Sequence, residues 1–148
     1  MGIYFVIVLS ILFLMTSCAL KAIPSSYNFV NDSEKVEINK LGNGKILIYN
    51  GATILHTIDN TARLNIWIDD KGLGQIRPGE YVVIDLTKGA YQFKILHLDM
   101  VNIRSNHNME IDNTTTIIEV KPTITSNKVT IKNILPSNFE KFRYAVKR

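Results

Sequence analysis

The sequence has very few of the residues that build metal and redox sites. Cysteine occurs once, at Cys18, and histidine three times, at His56, His97 and His107. A single cysteine excludes a disulfide or a cysteine-based zinc site within one copy of the chain. The histidines lack the spacing of a metal-binding motif such as His-Glu-x-x-His. We therefore expect neither a metal nor a cofactor.

An excess of charge of one sign is also missing. The chain has 17 Lys and Arg against 13 Asp and Glu, a net charge of +4, and these residues are scattered rather than clustered. Nucleic-acid-binding domains usually concentrate positive charge on one face. Scattered charge is typical of a solvated surface, so we expect no nucleic-acid partner and at most a weak attraction to an anionic membrane or envelope polymer.

Catalytic motifs are absent as well. The Gly-x-Ser-x-Gly turn of serine hydrolases does not occur. Asp69 and Asp70 lie in a glycine turn, where Asp is favoured because its side chain bonds the local backbone. Asp85 interrupts an apolar run, but strand alternation turns it away from the apolar neighbours, so we expect an exposed or backbone-bonded carboxylate. The sequence therefore predicts no catalytic residues and no enzyme, and an enzyme using residues 99–113 is the less favoured alternative.

The longest apolar run lies near the N-terminus. Ile3–Met15 has the length of the hydrophobic region of a signal peptide and is short for a membrane span. Small residues, Thr16 and Ser17, come next and directly precede Cys18. This arrangement resembles the lipobox of bacterial lipoproteins, in which the cysteine is lipidated and becomes the first residue of the mature chain.

The lipobox resemblance implies a signal peptide at 1–17 and lipid, including palmitate, on Cys18. A bacterial lipoprotein carries more than one acyl chain, so the attachment to the membrane is stable. The alternative is an uncleaved membrane anchor over Gly2–Leu20, which is close to the length of a span. Residues 18–33 continue as a polar stretch with Pro and Ser, which is typical of a tether.

Residues 34–148 have the pattern of a β domain. The stretch Leu64–Phe93 is divided by turn residues at Asp69–Gly72, Arg77–Glu80 and Thr87–Gly89. The runs between these turns are rich in Val, Ile, Tyr and Trp, which favour strands. We predict a small antiparallel β unit here.

Further strands are predicted on both sides of this unit. A hairpin is expected across Gly42–Gly44, between Val36 and Tyr49, because Gly and Asn tolerate positive φ. Ala90–Leu98 is apolar on both faces and is expected to be a central strand. Residues 99–113 are interpreted as a long loop or weak hairpin, and the runs 115–121 and 128–132 as two more strands, the first ending at Pro122.

The C-terminus is predicted to form a short helix. Ser137 and Glu140 have the spacing of a capping box. Phe139, Phe142 and Val146 would then share one helical face that docks on the sheet.

One face of the strand at 64–69 suggests a contact surface. Leu64, Ile66 and Ile68 are expected to face the core, which leaves Trp67 on the solvent-facing side. There Trp67 either packs under a loop, which is the favoured interpretation, or forms part of a contact surface. We predict a partner surface made by this face together with residues of the next turn and strand: Trp67, Pro78, Gly79 and Tyr81.

The same stretch carries a family resemblance. Ile66–Gly74, followed by Arg77–Tyr81 and Leu86–Tyr91, resembles the PEGA-like pattern of a strand, an Asp-Gly turn, a middle strand and a Pro-Gly strand start. It resembles still more an uncharacterised family of small bacterial lipoproteins. The resemblance covers roughly Ile46–Leu98 and implies a β-sandwich on the cell envelope, with no known activity.

The sequence thus predicts an all-β antiparallel sandwich of about seven strands with a short C-terminal helix. We expect a non-enzymatic lipoprotein of the bacterial envelope, facing the periplasm or exterior, that binds a partner protein or cell-wall polymer. The alternative is an accessory lipoprotein of a secretion or adhesion assembly.

Overall fold

Nine strands form in the part of the chain that the computed structural model describes, residues 19–28, 36–53 and 61–145, and most of them are short runs rich in β-branched residues. The strands are β1 (Lys45–Asn50), β2 (Leu64–Ile68), β3 (Lys71–Ile76), β4 (Glu80–Asp85), β5 (Gly89–Leu98), β6 (Asn102–Ile111), β7 (Ile117–Pro122), β8 (Asn127–Ile131) and β9 (Arg143–Tyr144). Two single turns of 3₁₀ helix, Ile38–Lys40 and Phe139–Lys141, are the helical elements of these residues.

The strands form two sheets. The five-stranded sheet has the order β8-β7-β1-β4-β9, and the four-stranded sheet has the order β3-β2-β5-β6. The four-stranded sheet is antiparallel throughout, whereas β1 pairs in parallel with β7 and β4 pairs in parallel with β9. The predicted all-β class with two packed sheets is confirmed, and the central position of β5 is also confirmed.

The main core lies between the two sheets. It is a single cluster of aliphatic side chains and one phenylalanine from both sheets, among them Ile46, Ile48, Ile66, Ile84, Phe93, Ile95 and Ile118. A second cluster covers the opposite face of the five-stranded sheet. There Leu47, Tyr49, Val83 and Ile117 pack under side chains from residues 36–41 and 135–144. Both faces of β1 are therefore buried, which explains its nearly continuous apolar sequence.

The predicted antiparallel unit at 64–93 is correct in its turns and wrong in part of its pairing. Asp69 and Asp70 form a two-residue loop with φ of 47° and 64°, and this loop joins β2 to β3 as a hairpin. After β3 the chain turns at Pro78 and Gly79 and enters the other sheet, where β4 pairs with β1. Turn residues show where a chain reverses, but they do not show whether the flanking strands pair.

The segment 99–113, predicted as a long loop or weak hairpin, instead consists mostly of a ten-residue strand, β6. β6 pairs with β5 along its whole length, from Leu98 opposite Asn102 to Gly89 opposite Ile111. Its exposed and half-buried residues alternate strictly until Ile111, which is buried. The inward positions include Ser105 and His107, and these polar residues hid the strand pattern from a reading based on hydrophobicity.

The predicted C-terminal helix and first hairpin are also corrected. Asn138 caps only one 3₁₀ turn, with no side-chain capping bond, and the chain then continues as β9. Val146 lies outside the described residues. The segment stays extended because its backbone bonds the edge of β4, with Ala145 N–H donating to Tyr81 O at 2.8 Å. At the other end, Ile38 lies in a 3₁₀ turn. The chain does reverse at the predicted turn, where a single bridge joins Gly42 to Lys45, but the rest of β1 pairs with β4 and β7 and no hairpin partner strand precedes it in the described residues.

Residues 19–28, here called the N-terminal segment, lie against the four-stranded sheet. Ser26 N–H donates to Gly72 O at 2.7 Å, and the Tyr27 hydroxyl donates to Ile68 O at 3.4 Å while its ring packs against the main core. The predicted tether at 18–33 is therefore docked over this part of its length. Residues 1–17 and Cys18, the predicted signal peptide and lipidation site, lie outside the described residues.

Candidate binding surface on the four-stranded sheet

The outer face of the four-stranded sheet is formed by alternate residues of β2, β5 and β6. Strand register sets Trp67 opposite Lys94, and Lys94 opposite Asn106. One step along the strands, Leu96 lies opposite Arg104. Directly opposed residues share a face of a sheet, so these five side chains form one continuous surface, which we call the Trp67 surface.

The Trp67 surface contains a groove of about 450 Å³. Its lining includes Trp67, Asp70, Lys94, Leu96, Arg104 and Asn106. The indole of Trp67 is half-buried and Arg104 is exposed. The groove therefore offers an aromatic ring, a guanidinium and a carboxamide to solvent at the same time.

An ion pair closes one side of this groove. Asp70 lies at the tip of the β2–β3 hairpin, and its carboxylate bonds the ammonium group of Lys94. Since Asp70 is largely exposed, the pair adds at most about 1 kcal/mol to the free energy of unfolding. The pair places the ammonium group of Lys94 on this side of the groove.

The N-terminal segment covers the other side of the same face. Asn65 and Gln75 are opposed on β2 and β3, and their side chains bond each other at 3.1 Å. Asn65 Nδ2 donates to Lys21 O at 2.8 Å, and Gln75 Nε2 donates to Leu20 O at 3.0 Å. Asn65 alternates with core residues on β2, as Trp67 does, but it is buried because this segment lies on it.

The structure does not bring the predicted partner surface together. Trp67 lies on the outer face of the four-stranded sheet, whereas Tyr81 belongs to the five-stranded sheet, where its ring packs 4.9 Å from Phe139 and 5.2 Å from Tyr144. Pro78 and Gly79 are buried. A single surface made by all four residues is therefore wrong, because the chain changes sheets between Trp67 and Tyr81.

Sequence reasoning missed four residues of the surface that the structure does form. Lys94 and Leu96 lie in the strand predicted at 90–98 but were not assigned to a site, and Arg104 and Asn106 were placed in a loop or weak hairpin. The signal that could have found Arg104 and Asn106 is the polar alternation through 102–111, which places every even-numbered residue on one side of a strand.

His97 has a structural role. It is buried on the inner face of β5, and its Nδ1 lies 2.7 Å from Asn127 Oδ1. Asn127 Nδ2 donates to Ser105 Oγ at 3.0 Å, and Ser105 Oγ lies 3.0 Å from His107 Nε2. His97 is therefore a buried strand histidine whose Nδ1 has a hydrogen-bond partner.

The other candidate sites in the described residues are a cavity beside His97, groups of metal-binding side chains, and Asp85. A cavity of about 420 Å³ beside His97 is lined by Asp99, Lys121 and several threonines. Among residues 19–28, 36–53 and 61–145, no three His, Cys, Asp or Glu side chains are close enough together to hold a metal ion. Asp85 is exposed at the end of β4, as expected.

Tyr49 has a strongly raised pKa and is hydrogen-bonded to Glu119. The Tyr49 hydroxyl donates to Glu119 Oε1 at 3.2 Å, and Lys132 Nζ lies 3.7 Å from Glu119 Oε2. Burial raises the pKa of Tyr49, and the neighbouring carboxylate of Glu119 raises that pKa further. A phenol held in its neutral form is a hydrogen-bond donor rather than a base, so this pair serves the packing of the five-stranded sheet.

Comparison with known proteins gives no family. No protein-family profile matches this sequence, and no curated protein or solved structure is significantly similar to it. Its function must therefore be argued from its own residues. In the described ranges, no helix has the length and apolar character needed to cross a membrane.

Proposed function

We propose that the protein is a non-enzymatic lipoprotein of the bacterial envelope that binds a cell-wall polymer on the Trp67 surface. The observation that supports polymer binding is the groove on the Trp67 surface. It places a half-buried indole, an exposed guanidinium and an amide on one open face of a sheet.

These side chains suit an extended, hydrated polymer. An aromatic ring binds the apolar face of a sugar ring, while amide and guanidinium groups bond hydroxyl and carboxylate oxygens. Asp70 offsets the charge of Lys94, so the net positive charge of the groove comes from Arg104, and it favours a polymer that carries anionic groups. The open sheet face also lets a long chain lie across the molecule, unlike a closed pocket that fits a small ligand.

The proposed location in the bacterial envelope is supported by the sequence. The apolar run Ile3–Met15 followed by Cys18 supports export and lipidation. The hairpin at Asp69 and Asp70 and the later turn at Pro78 and Gly79 support the resemblance to small bacterial lipoproteins with a PEGA-like domain, and we propose that family for the chain.

The test is co-sedimentation of the full-length protein, kept in detergent, with purified cell-wall polymer. We expect Trp67→Ala and Arg104→Ala each to reduce the bound fraction, because each removes a group that lines the groove. Lys141→Ala is the matched control for charge. Lys141 is an exposed cation on the 3₁₀ turn that lies over the other sheet.

Equal binding by all three variants and the unmodified protein would exclude the Trp67 surface as the polymer site. Loss of binding in Lys141→Ala to the same extent as in Arg104→Ala would mean that the interaction is non-specific charge attraction. Circular dichroism of each variant checks that the sheets remain intact.

The second candidate is an accessory lipoprotein of a secretion or adhesion assembly, and the edge of β6 favours it. β6 is ten residues long, and in the described part of the chain no strand pairs with its outer edge. A free strand edge can accept a strand of a partner protein. Stoichiometric co-purification with a membrane complex would support this role, and recovery of the protein alone after mild detergent extraction would argue against it.

A further inference from the structure

Three large apolar side chains are exposed at one end of the sandwich. Met100 and Val101, in the turn between β5 and β6, are 95% and 65% exposed, and Ile124, in the turn between β7 and β8, is 86% exposed. The bond between His97 and Asn127 joins the strands immediately behind the two turns. Both turns therefore project from the same end of the molecule, which we call the apolar end.

The chain also enters the domain close to the apolar end. Along the N-terminal segment, Ser26 bonds Gly72, whereas Lys21 O accepts from Asn65. Asn65 lies opposite Leu96, near the end of β5. Followed backward toward the N-terminus, the segment therefore runs toward the apolar end.

Chain lengths limit the distance between the start of the N-terminal segment and the exposed turns. From Lys21 back to Cys18 are three residues, which extend at most about 10 Å. From Leu96, at the level of Lys21, to Met100 at the tip of the turn are four residues, at most about 13 Å. A membrane attachment at Cys18 is therefore within the same short distance of this level as the exposed turns.

We propose that the apolar end lies in the surface of the bilayer to which the N-terminus is attached, with Met100, Val101 and Ile124 inserted among the lipids. This inference rests on the proposed membrane attachment. Apolar side chains at such an interface are buried about 5–10 Å below the headgroup level. The protein then stands upright on the membrane, with two hairpin turns and the lipid anchor as separate points of contact.

Two lysines behind the β7–β8 turn fit this orientation. Lys121 and Lys128 are exposed and lie directly opposite each other on neighbouring strands. Like charges in that position repel each other. Anionic lipid headgroups beside the turn would remove the repulsion and bind both ammonium groups.

The proposed orientation leaves the Trp67 surface available. The surface lies on the side of the sandwich, on the outer face of β2, β5 and β6, whereas the apolar end is at the tips of the hairpins. Contact with the membrane through the tips therefore does not cover the groove.

The experiment measures the depth of single tryptophans in vesicles. Trp67 is the sole tryptophan of the chain, so Trp67→Phe provides a background into which one new tryptophan is placed. The variants are Met100→Trp and Ile124→Trp. Ile134→Trp is the matched control, because Ile134 is 75% exposed but follows β8 at the opposite end. Full-length protein is reconstituted into vesicles that contain anionic lipid and phospholipid brominated on its acyl chains, and flotation confirms attachment.

We expect the bromine atoms to quench the fluorescence of the Met100→Trp and Ile124→Trp variants but not that of the Ile134→Trp variant. Floating protein without quenching at positions 100 and 124, or with equal quenching at all three positions, would overturn the orientation and leave the attachment standing. Protein that does not float with the vesicles would overturn the attachment, and with it this inference.

Discussion

Asn127 connects the two sheets through its side chain. It is the first residue of β8 in the five-stranded sheet, yet its amide bonds His97 and Ser105 in the four-stranded sheet. Most of the contact between the sheets is aliphatic and tolerates small displacements. A buried amide with fixed hydrogen-bond partners does not tolerate such displacements. Asn127 therefore sets the position of β8 relative to β5 and β6.

Replacing Asn127 with Ala is expected to lower the free energy of unfolding by about 1–3 kcal/mol, because it leaves buried polar atoms of His97 and Ser105 without this partner. Urea denaturation of the full-length protein in detergent, followed by Trp67 fluorescence, measures the change. Asn108→Ala is the control, since Asn108 is exposed on the outer face of β6. Equal stability of the two variants would show that the amide network is not important.

Tyr49 predicts a dependence on alkaline pH. Burial, and then the carboxylate of Glu119, raise its pKa above the ordinary value of about 10. The folded state thus holds the Tyr49 proton more tightly than the unfolded state does. The stability gained in this way is fully present below about pH 10 and is lost as the pH rises through the range where folded Tyr49 ionises.

In Glu119→Gln, Tyr49 is expected to ionise at a lower pH than in the unmodified protein, while still above its ordinary value because burial remains. Phenolate absorbance during a pH titration measures this, and Tyr49→Phe identifies which step belongs to Tyr49. The control is Asp85→Asn, which removes an exposed carboxylate elsewhere. An unchanged titration in Glu119→Gln would show that burial alone sets the pKa.

At the scale of elements, the sequence predicted local features better than distant pairing. The loop at Asp69 and Asp70 could be read directly, because short polar residues tolerate positive φ. The runs at 115–121 and 128–132 could be read as strands as well, and they correspond to β7 and β8. The parallel pairing of β1 with β7 could not, because no local pattern links residues about 70 positions apart. The predicted partner surface was wrong for the same reason, because Trp67 and Tyr81 are near each other in sequence but lie in different sheets.

Aromatic residues at the C-terminus misled the prediction for a physical reason. Phe139 and Phe142 have helical spacing and do pack on the sheet, against Tyr81 and Tyr49. An extended chain with one 3₁₀ turn places the same rings on the same surface. The second arrangement occurs because the backbone after Phe142 also bonds the edge of β4, which a helix could not do.

The docking of the N-terminal segment depends on Gly72. A Cβ atom at this position would lie 2.5 Å from Pro24 O, so Gly72→Ala is expected to displace the segment from β3. Lys21, an exposed residue within it, should then be cleaved faster by trypsin, and mass spectrometry of the fragments measures the rate.

Ser26→Ala is the control for Gly72→Ala. It keeps the Ser26 N–H that bonds Gly72 O and removes only an exposed hydroxyl. Cleavage after Lys21 at the same rate in the unmodified protein and in both variants would mean that contact with Gly72 does not hold the segment in place.

At the scale of the whole molecule, the decisive residue is Cys18. A mature chain that begins at Cys18 and carries added acyl mass is expected in membrane extracts, and both features should be lost in Cys18→Ser. Intact-mass spectrometry of the two proteins measures this. A full-length, unmodified mass would instead favour an N-terminal membrane anchor and would withdraw the lipoprotein family proposed above.

The parallel pairing of β1 with β7 also has a consequence for how the protein folds. β1 is the third strand of the five-stranded sheet and lies between β4 and β7, so the sheet cannot form around it until residues near 120 are available. Domains dominated by such distant pairings fold in milliseconds to seconds, far more slowly than helical domains of similar size. A chain emerging from the ribosome would therefore complete its five-stranded sheet only after most of its synthesis, and the export proposed above would require engagement before that point.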